Sequence, residues 1–130
     1  VGIMSQKGNI HLNIGKPLTS EEIAEAALCD KNDRYQKIRH AVDIRVIEGY
    51  KLWKNNYIAY DIANHSFKYS DKYDAADVEK FVAYMEHQLD TVEPEVNRDD
   101  LRRVFLDIYA NSVVTKELLE KERITGGILL

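Results

Sequence analysis

Few side chains in this sequence could do acid–base or nucleophilic chemistry, and they are scattered. There are four histidines, His11, His40, His65 and His87. Two have a carboxylate one helical turn on: Asp43 follows His40, and Asp90 follows His87. A carboxylate at that spacing can orient an imidazole to accept a proton. A solvated helix face with an ordinary i,i+3 contact gives the same spacing, and that is the reading adopted for both pairs. Cys29 is the only cysteine. It stands at a helix end in Ala27-Leu28-Cys29-Asp30 with no basic neighbour, so it reads as a small, buried or half-buried residue. HExxH and CxxC metal spacings are absent, as are GxSxG, GxGxxG and GxxxxGK[ST]. The sequence therefore assigns no catalytic, cofactor-binding or metal-ligating residue, and no cofactor.

The tyrosines are the other chemical feature. Of eight, Tyr57, Tyr60, Tyr69 and Tyr73 fall in one region together with Trp53 and Phe67. Such a group can form an aromatic surface for a partner or a membrane interface. It can also pack a long loop onto helices with each hydroxyl reaching water, which is the reading preferred. Lys68 and Lys72 lie among the rings and are offset by Asp71 and Asp74, so this is no polybasic membrane patch.

The elements that must position these groups begin with Ile10, Leu12 and Ile14, which alternate with Asn9, His11 and Asn13. Period two predicts a strand, ended by Gly15 and Pro17. Val1–Met4 would pair with it as a hairpin through a turn at Ser5–Gly8. Thr19 and Glu22 form a capping box for a helix to about Leu28, with Leu18 and Ile23 spaced as a hydrophobic staple. A longer helix is expected from Arg34 to Trp53, with an apolar stripe through Ile38, Val42, Val46 and Trp53. Gly49 inside it would allow close helix packing. Asn55-Asn56 reads as a break, Tyr57–Ala63 as a short helix and residues 64–73 as a loop. Asp74 and Asp77 cap the next helix, whose buried face is Val78, Phe81, Val82, Met85 and Leu89. Asn97 caps another, with Leu101, Val104, Phe105, Ile108 and Tyr109 apolar. Asn111-Ser112 would end or kink it before a final helix over Val113–Arg123.

The expected fold is thus mainly α with a short N-terminal β-strand or hairpin. A strand with no sheet to join leaves backbone groups open, so on physical grounds the chain reads as a piece of a larger α/β domain or as one that pairs strands with a second copy. Its 130 residues fit one domain or part of one. Apolar residues at 45% and charged residues at 31% are an ordinary globular balance. A net charge of −4 offers no general attraction for nucleic acid or anionic lipid. One cysteine permits no intrachain disulfide and is compatible with a reducing compartment. No run approaches the roughly 18 apolar residues of a membrane span, and no signal peptide opens the chain.

Several blocks carry a family resemblance. Lys7–Leu18, with its Ile-Gly-Lys-Pro-Leu ending, resembles a late strand and Gly-x-Pro-[Ile/Leu] turn of the lysophosphatidic acid and glycerol-3-phosphate acyltransferases. Asn56-Tyr57-Ile58-Ala59-Tyr60-Asp61, Asp71-Lys72-Tyr73, Phe81-Val82-Ala83-Tyr84 and Asp107-Ile108-Tyr109-Ala110-Asn111 resemble the C-terminal extension of such enzymes of the Bacteroidetes type. Ser112 stands where those proteins often have proline. The resemblance implies the C-terminal part of an α/β acyltransferase: residues 1–18 as a terminal strand or hairpin, 19–123 as a helical extension, and 124–130 as a tail. The implied parent moves an acyl group from acyl-CoA or acyl-carrier protein to a glycerophosphate hydroxyl, using a His-x-x-x-x-Asp pair.

That pair is not in this sequence. Five residues after His11, His40, His65 and His87 stand Lys16, Arg45, Ser70 and Val92. The expected role is therefore packing within the parent, with no acyl transfer by this chain alone. The expected partners are the rest of the parent, a second copy through the N-terminal strand, and a peripheral membrane contact, but not nucleic acid. The expected location is cytoplasmic, with membrane association through the parent. The alternative function is a free-standing helical interaction module without enzymatic activity.

Overall fold

A computed structural model describes the backbone of residues 8–125 and the side chains of residues 8–123. The described residues contain five α-helices and no strand. They are α1 (Ser20–Ala27), α2 (Lys31–Glu48), α3 (Lys54–Asn64), α4 (Ala75–Leu89) and α5 (Arg98–Thr125), with a single 3₁₀ turn at Ser70–Lys72. The chain forms two compact units that divide after Lys51.

This overturns the expected α/β character. Residues 8–18 have no regular structure, and Ile10, Leu12 and Ile14 are 81%, 82% and 87% exposed. Alternation alone does not make a strand. Its N–H and C=O groups need a neighbouring strand, and no described residue supplies one. The strand expected to join two copies is therefore not present among the described residues. The other half of the expected hairpin, Val1–Met4 with most of its turn, lies outside the described residues, as does the tail from Gly126 to Leu130.

In the first unit α1 packs on α2. The α1 capping box forms as expected: Glu22 N–H donates to Thr19 Oγ1 at 3.1 Å, and Thr19 N–H donates to Glu22 Oε1 at 2.9 Å. Arg45 of α2 donates to both oxygens of the same carboxylate, at 3.1 and 2.5 Å. Its guanidinium, then the Thr19 backbone bond, hold the Glu22 carboxyl down at about 2. Asp30 caps α2 by accepting from Asp33 N–H at 3.0 Å, so the helix begins earlier than Arg34. It also ends earlier, at Gly49 rather than Trp53. A Cβ on Gly49 would overlap the Asn13 side chain, so the close approach there is to the segment before α1, not to another helix. The buried apolar residues are Ala26 and Ile44, while Val42 and Val46 of the expected stripe stay exposed.

The second unit holds the larger core. Ile58 and Ala59 of α3, Phe81, Met85 and Leu89 of α4, and Leu106 and Ala110 of α5 are buried together. Phe81 meets the Tyr109 ring edge-to-face at 5.5 Å between centroids, an arrangement that the ring quadrupoles favour. Asp74 and Asp77 cap α4 reciprocally, at 2.9 and 3.0 Å. Asn97 Oδ1 accepts from Asp100 N–H at 3.1 Å at the start of α5. That helix runs unbroken through Asn111-Ser112. Each of these residues costs only about 0.5–0.7 kcal/mol of helix propensity, and burial of Ala110 and Val113 on either side offsets it. Val104 and Ile108, expected in the core, are exposed. No helix among the described residues is long and apolar enough to cross a membrane.

Candidate functional site

The structure gives the histidines no shared site. His40 and Asp43 are both exposed on α2, and His11, His65 and His87 are exposed elsewhere. Asp90 is taken by Arg98, with Nη1 to Oδ1 at 2.9 Å. Cys29 is half-buried and its Sγ donates to the Glu25 carbonyl at 3.7 Å. No group of three or more His, Cys, Asp or Glu among the described residues could hold a metal ion.

What the fold does bring together, within the second unit, are the blocks from Asn56 onward that carry the resemblance. Asn56 sits in the first turn of α3. Its Oδ1 accepts from Trp53 N–H at 2.7 Å, and its Nδ2 donates to the Tyr109 carbonyl of α5 at 2.8 Å. Asn56 is thus part of the helix start rather than of a break. Asp61 lies at the other end of the block and is the one buried charged residue among the described residues, 4% exposed. It accepts three hydrogen bonds: from Ser66 Oγ at 2.7 Å, from Tyr69 N–H at 3.1 Å and from Tyr73 Oη at 2.7 Å. A buried carboxylate persists only with such donors around it. Burial, then this bond to Asp61, push the Tyr73 phenol up to about 12.

Asp61 therefore anchors the loop from Ser66 to Tyr73 onto α3. His65 lets the chain enter that loop by taking the left-handed conformation, φ 50° and ψ 47°. Tyr69 meets two rings, Tyr57 at a tilt with centroids 4.9 Å apart and Tyr60 edge-to-face at 5.3 Å. These tyrosines do pack the loop, as expected. Their hydroxyls do not all go to water, since Tyr73 bonds Asp61. Phe67, between the two anchored residues Ser66 and Tyr69, is 84% exposed.

Beside this loop is an open cleft of about 590 Å³ between the end of α3 and the second half of α5. Tyr60, Lys68 and Tyr69 form one wall, and Val114, Glu117 and Leu118 form the other. Lys68 is ion-paired to Glu117, and its Nζ lies 5.5 Å from the Tyr69 ring centroid and 6.0 Å from that of Tyr60. The hydrogen bond to Glu117 raises the Lys68 ammonium above its ordinary value. Burial foremost, with Glu117 adding to it, raises both phenols. At neutral pH this set holds a charged ammonium, neutral phenols and an engaged carboxylate. It can bind, but it has neither a free amine nucleophile nor a poised base.

Sequence reasoning missed Glu117 and Ser66. Glu117 is 49 positions from Lys68, and no periodicity links residues so far apart. Ser66 carried a local signal, a hydroxyl just past a helix end, but nothing pointed it at Asp61. No protein-family model, no curated protein and no solved structure matches this chain.

Proposed function

We propose that this chain is the helical C-terminal region of a glycerolipid acyltransferase, and that its work there is to fold and pack rather than to carry out the transfer. One observation supports this reading above the others. The separated blocks that resemble the acyltransferase extension form a single hydrogen-bonded unit, Asn56 to the Tyr109 backbone and Asp61 to Tyr73. Residues shared for chemistry would converge on a cleft with a base in it. These converge on their own helices and loop, where they hold the fold together.

The parent enzyme would take an acyl group from acyl-CoA or acyl-carrier protein and place it on a glycerophosphate hydroxyl. Its imidazole–carboxylate pair would lie in another part of the polypeptide. The cytoplasm is the expected compartment, with any membrane association belonging to the parent. The test has two arms. The reading frame upstream of Val1 should encode His-x-x-x-x-Asp followed by the Glu-Gly phosphate-binding block that the resembled family carries. The longer polypeptide should then acylate a glycerophosphate, and lose that activity when its motif histidine becomes alanine. A stop codon directly upstream, or acyl transfer by residues 1–130 alone, refutes the proposal.

A second reading, a helical interaction module without enzymatic activity, is favoured by Phe67. It stands 84% exposed on a loop that Asp61 fixes at both sides, as an anchor for a partner would. Phe67→Ala with unchanged stability and lost partner capture would favour the module over the enzyme fragment.

A further inference from the structure

We infer that Tyr60, Tyr69 and Glu117 form a binding site for an alkylammonium group, which Lys68 of the same chain fills from within and yields to a ligand by exchange. The inference goes beyond the acyltransferase reading and does not depend on it.

Three features carry it. The Tyr60 and Tyr69 rings stand at 79° to one another with centroids 5.3 Å apart, making an aromatic corner. A cation within about 6 Å of a ring centroid is attracted by the ring's quadrupole, and the Lys68 ammonium meets that condition for both rings, at 5.5 and 6.0 Å. Glu117 supplies the countercharge from the facing helix; Glu120 and Lys121 also line the cleft and offset one another in charge. The corner is an alkylammonium site because an alkylammonium already occupies it.

The occupant differs from its walls in how firmly it is held. Tyr69 is fixed through its N–H to the buried Asp61, at 3.1 Å, and Glu117 and Tyr60 belong to helices. The Lys68 side chain is 54% exposed, and an ion pair at that exposure is weak. It can swing out without disturbing the walls. The cleft of about 590 Å³ around it leaves room for a ligand's own chain to follow its cationic head.

The test uses n-butylammonium, which reproduces the lysine side chain, and n-butanol as its neutral counterpart. Binding to the full chain is followed by the ring resonances of Tyr60 and Tyr69. Lys68→Ala should bind butylammonium saturably, about fivefold or more tighter than it binds butanol. The wild-type chain should bind the amine about fivefold or more weakly than Lys68→Ala, because Lys68 must leave first. Adding Glu117→Gln to Lys68→Ala should abolish the preference for the amine. Both substitutions fall on partly exposed side chains, and unchanged circular dichroism checks that the fold is kept. Equal affinity in the wild-type and Lys68→Ala chains overturns the inference. So does butanol matching the amine, or the absence of saturable binding to Lys68→Ala.

Discussion

Replacing Asp61 should be among the most damaging single changes in the second unit. Asp61→Ala removes an acceptor that is 4% exposed and serves Ser66, Tyr69 and Tyr73. A hydrogen bond to a charged acceptor is worth about 1.5–3 kcal/mol net. The three donors belong to half-buried residues and regain some water when the carboxylate leaves, so the lower end applies to each. The expected loss is about 3–5 kcal/mol, in the range for breaking a buried charged cluster. At about 0.05–0.15 kcal/mol per residue, residues 52–125 hold roughly 4–11 kcal/mol in all. The alanine variant therefore sits close to unfolding. Asp61→Asn is the discriminating variant. Its carbonyl oxygen can still serve Tyr69 N–H and Tyr73, and the Ser66 hydroxyl can rotate to accept from the new amide. It should cost about 1–2 kcal/mol. Urea unfolding at neutral pH, with the slope held constant, gives both values. If alanine costs under about 1 kcal/mol, or if asparagine costs as much as alanine, then Asp61 is not the anchor described.

Two further outcomes follow from the same bookkeeping. Asn56→Ala deletes the bond to Trp53 N–H at 2.7 Å and the bond to the Tyr109 carbonyl at 2.8 Å, and should lower the urea-derived stability by about 2 kcal/mol; no measurable change would separate the α3 start from α5. Glu22, held at about 2 against an ordinary 4.5, stabilises the first unit fully above its unfolded value, and that contribution falls away as pH drops from about 4.5 towards 2. The protection factors of amides in α1 and α2, each rate referred to its intrinsic rate at that pH, should therefore fall over that window, and Glu22→Gln should show low protection at every pH and lack this step; an identical protection profile in both chains refutes it.

The helices were legible wherever a local rule decided them. Thr19 with Glu22, Asp74 with Asp77, and Asn97 all cap helices as expected, because a cap needs only residues three positions apart. The α4 face of Phe81, Met85 and Leu89 was legible because it has a single covered side. The misreadings share a different cause. The alternation of Ile10, Leu12 and Ile14 and the stripe through Val42 and Val46 are true patterns, but a pattern states which residues would be buried together, not that anything covers them. Among the described residues Ile10, Leu12 and Ile14 stay almost uncovered, and Val42 and Val46 are only half covered. The unbroken α5 belongs to the same class: Asn111-Ser112 is a weak stop signal, and burial of Ala110 and Val113 outweighs it.

The site was legible in part, and the reason lies in the geometry of α3. Asn56 and Asp61 are five residues apart, which turns the helix through about 500° and leaves the two side chains about 140° apart around its axis. One can therefore face α5 while the other faces the loop that returns after His65. Ile58 and Ala59, both fully buried, lie between them. A block with polar ends and an apolar middle thus fixes one helix against two different segments, and it can do so only when all of them are present. The sequence displays the block, since its residues are contiguous. It does not display the partners, because Tyr109 is 53 positions from Asn56 and Tyr73 is 12 from Asp61. The Lys68–Glu117 pair is invisible for the same reason. Neither partner of that pair belongs to the block, and the cleft they share exists only after Asn56 and Asp61 have set the loop and α5 in place.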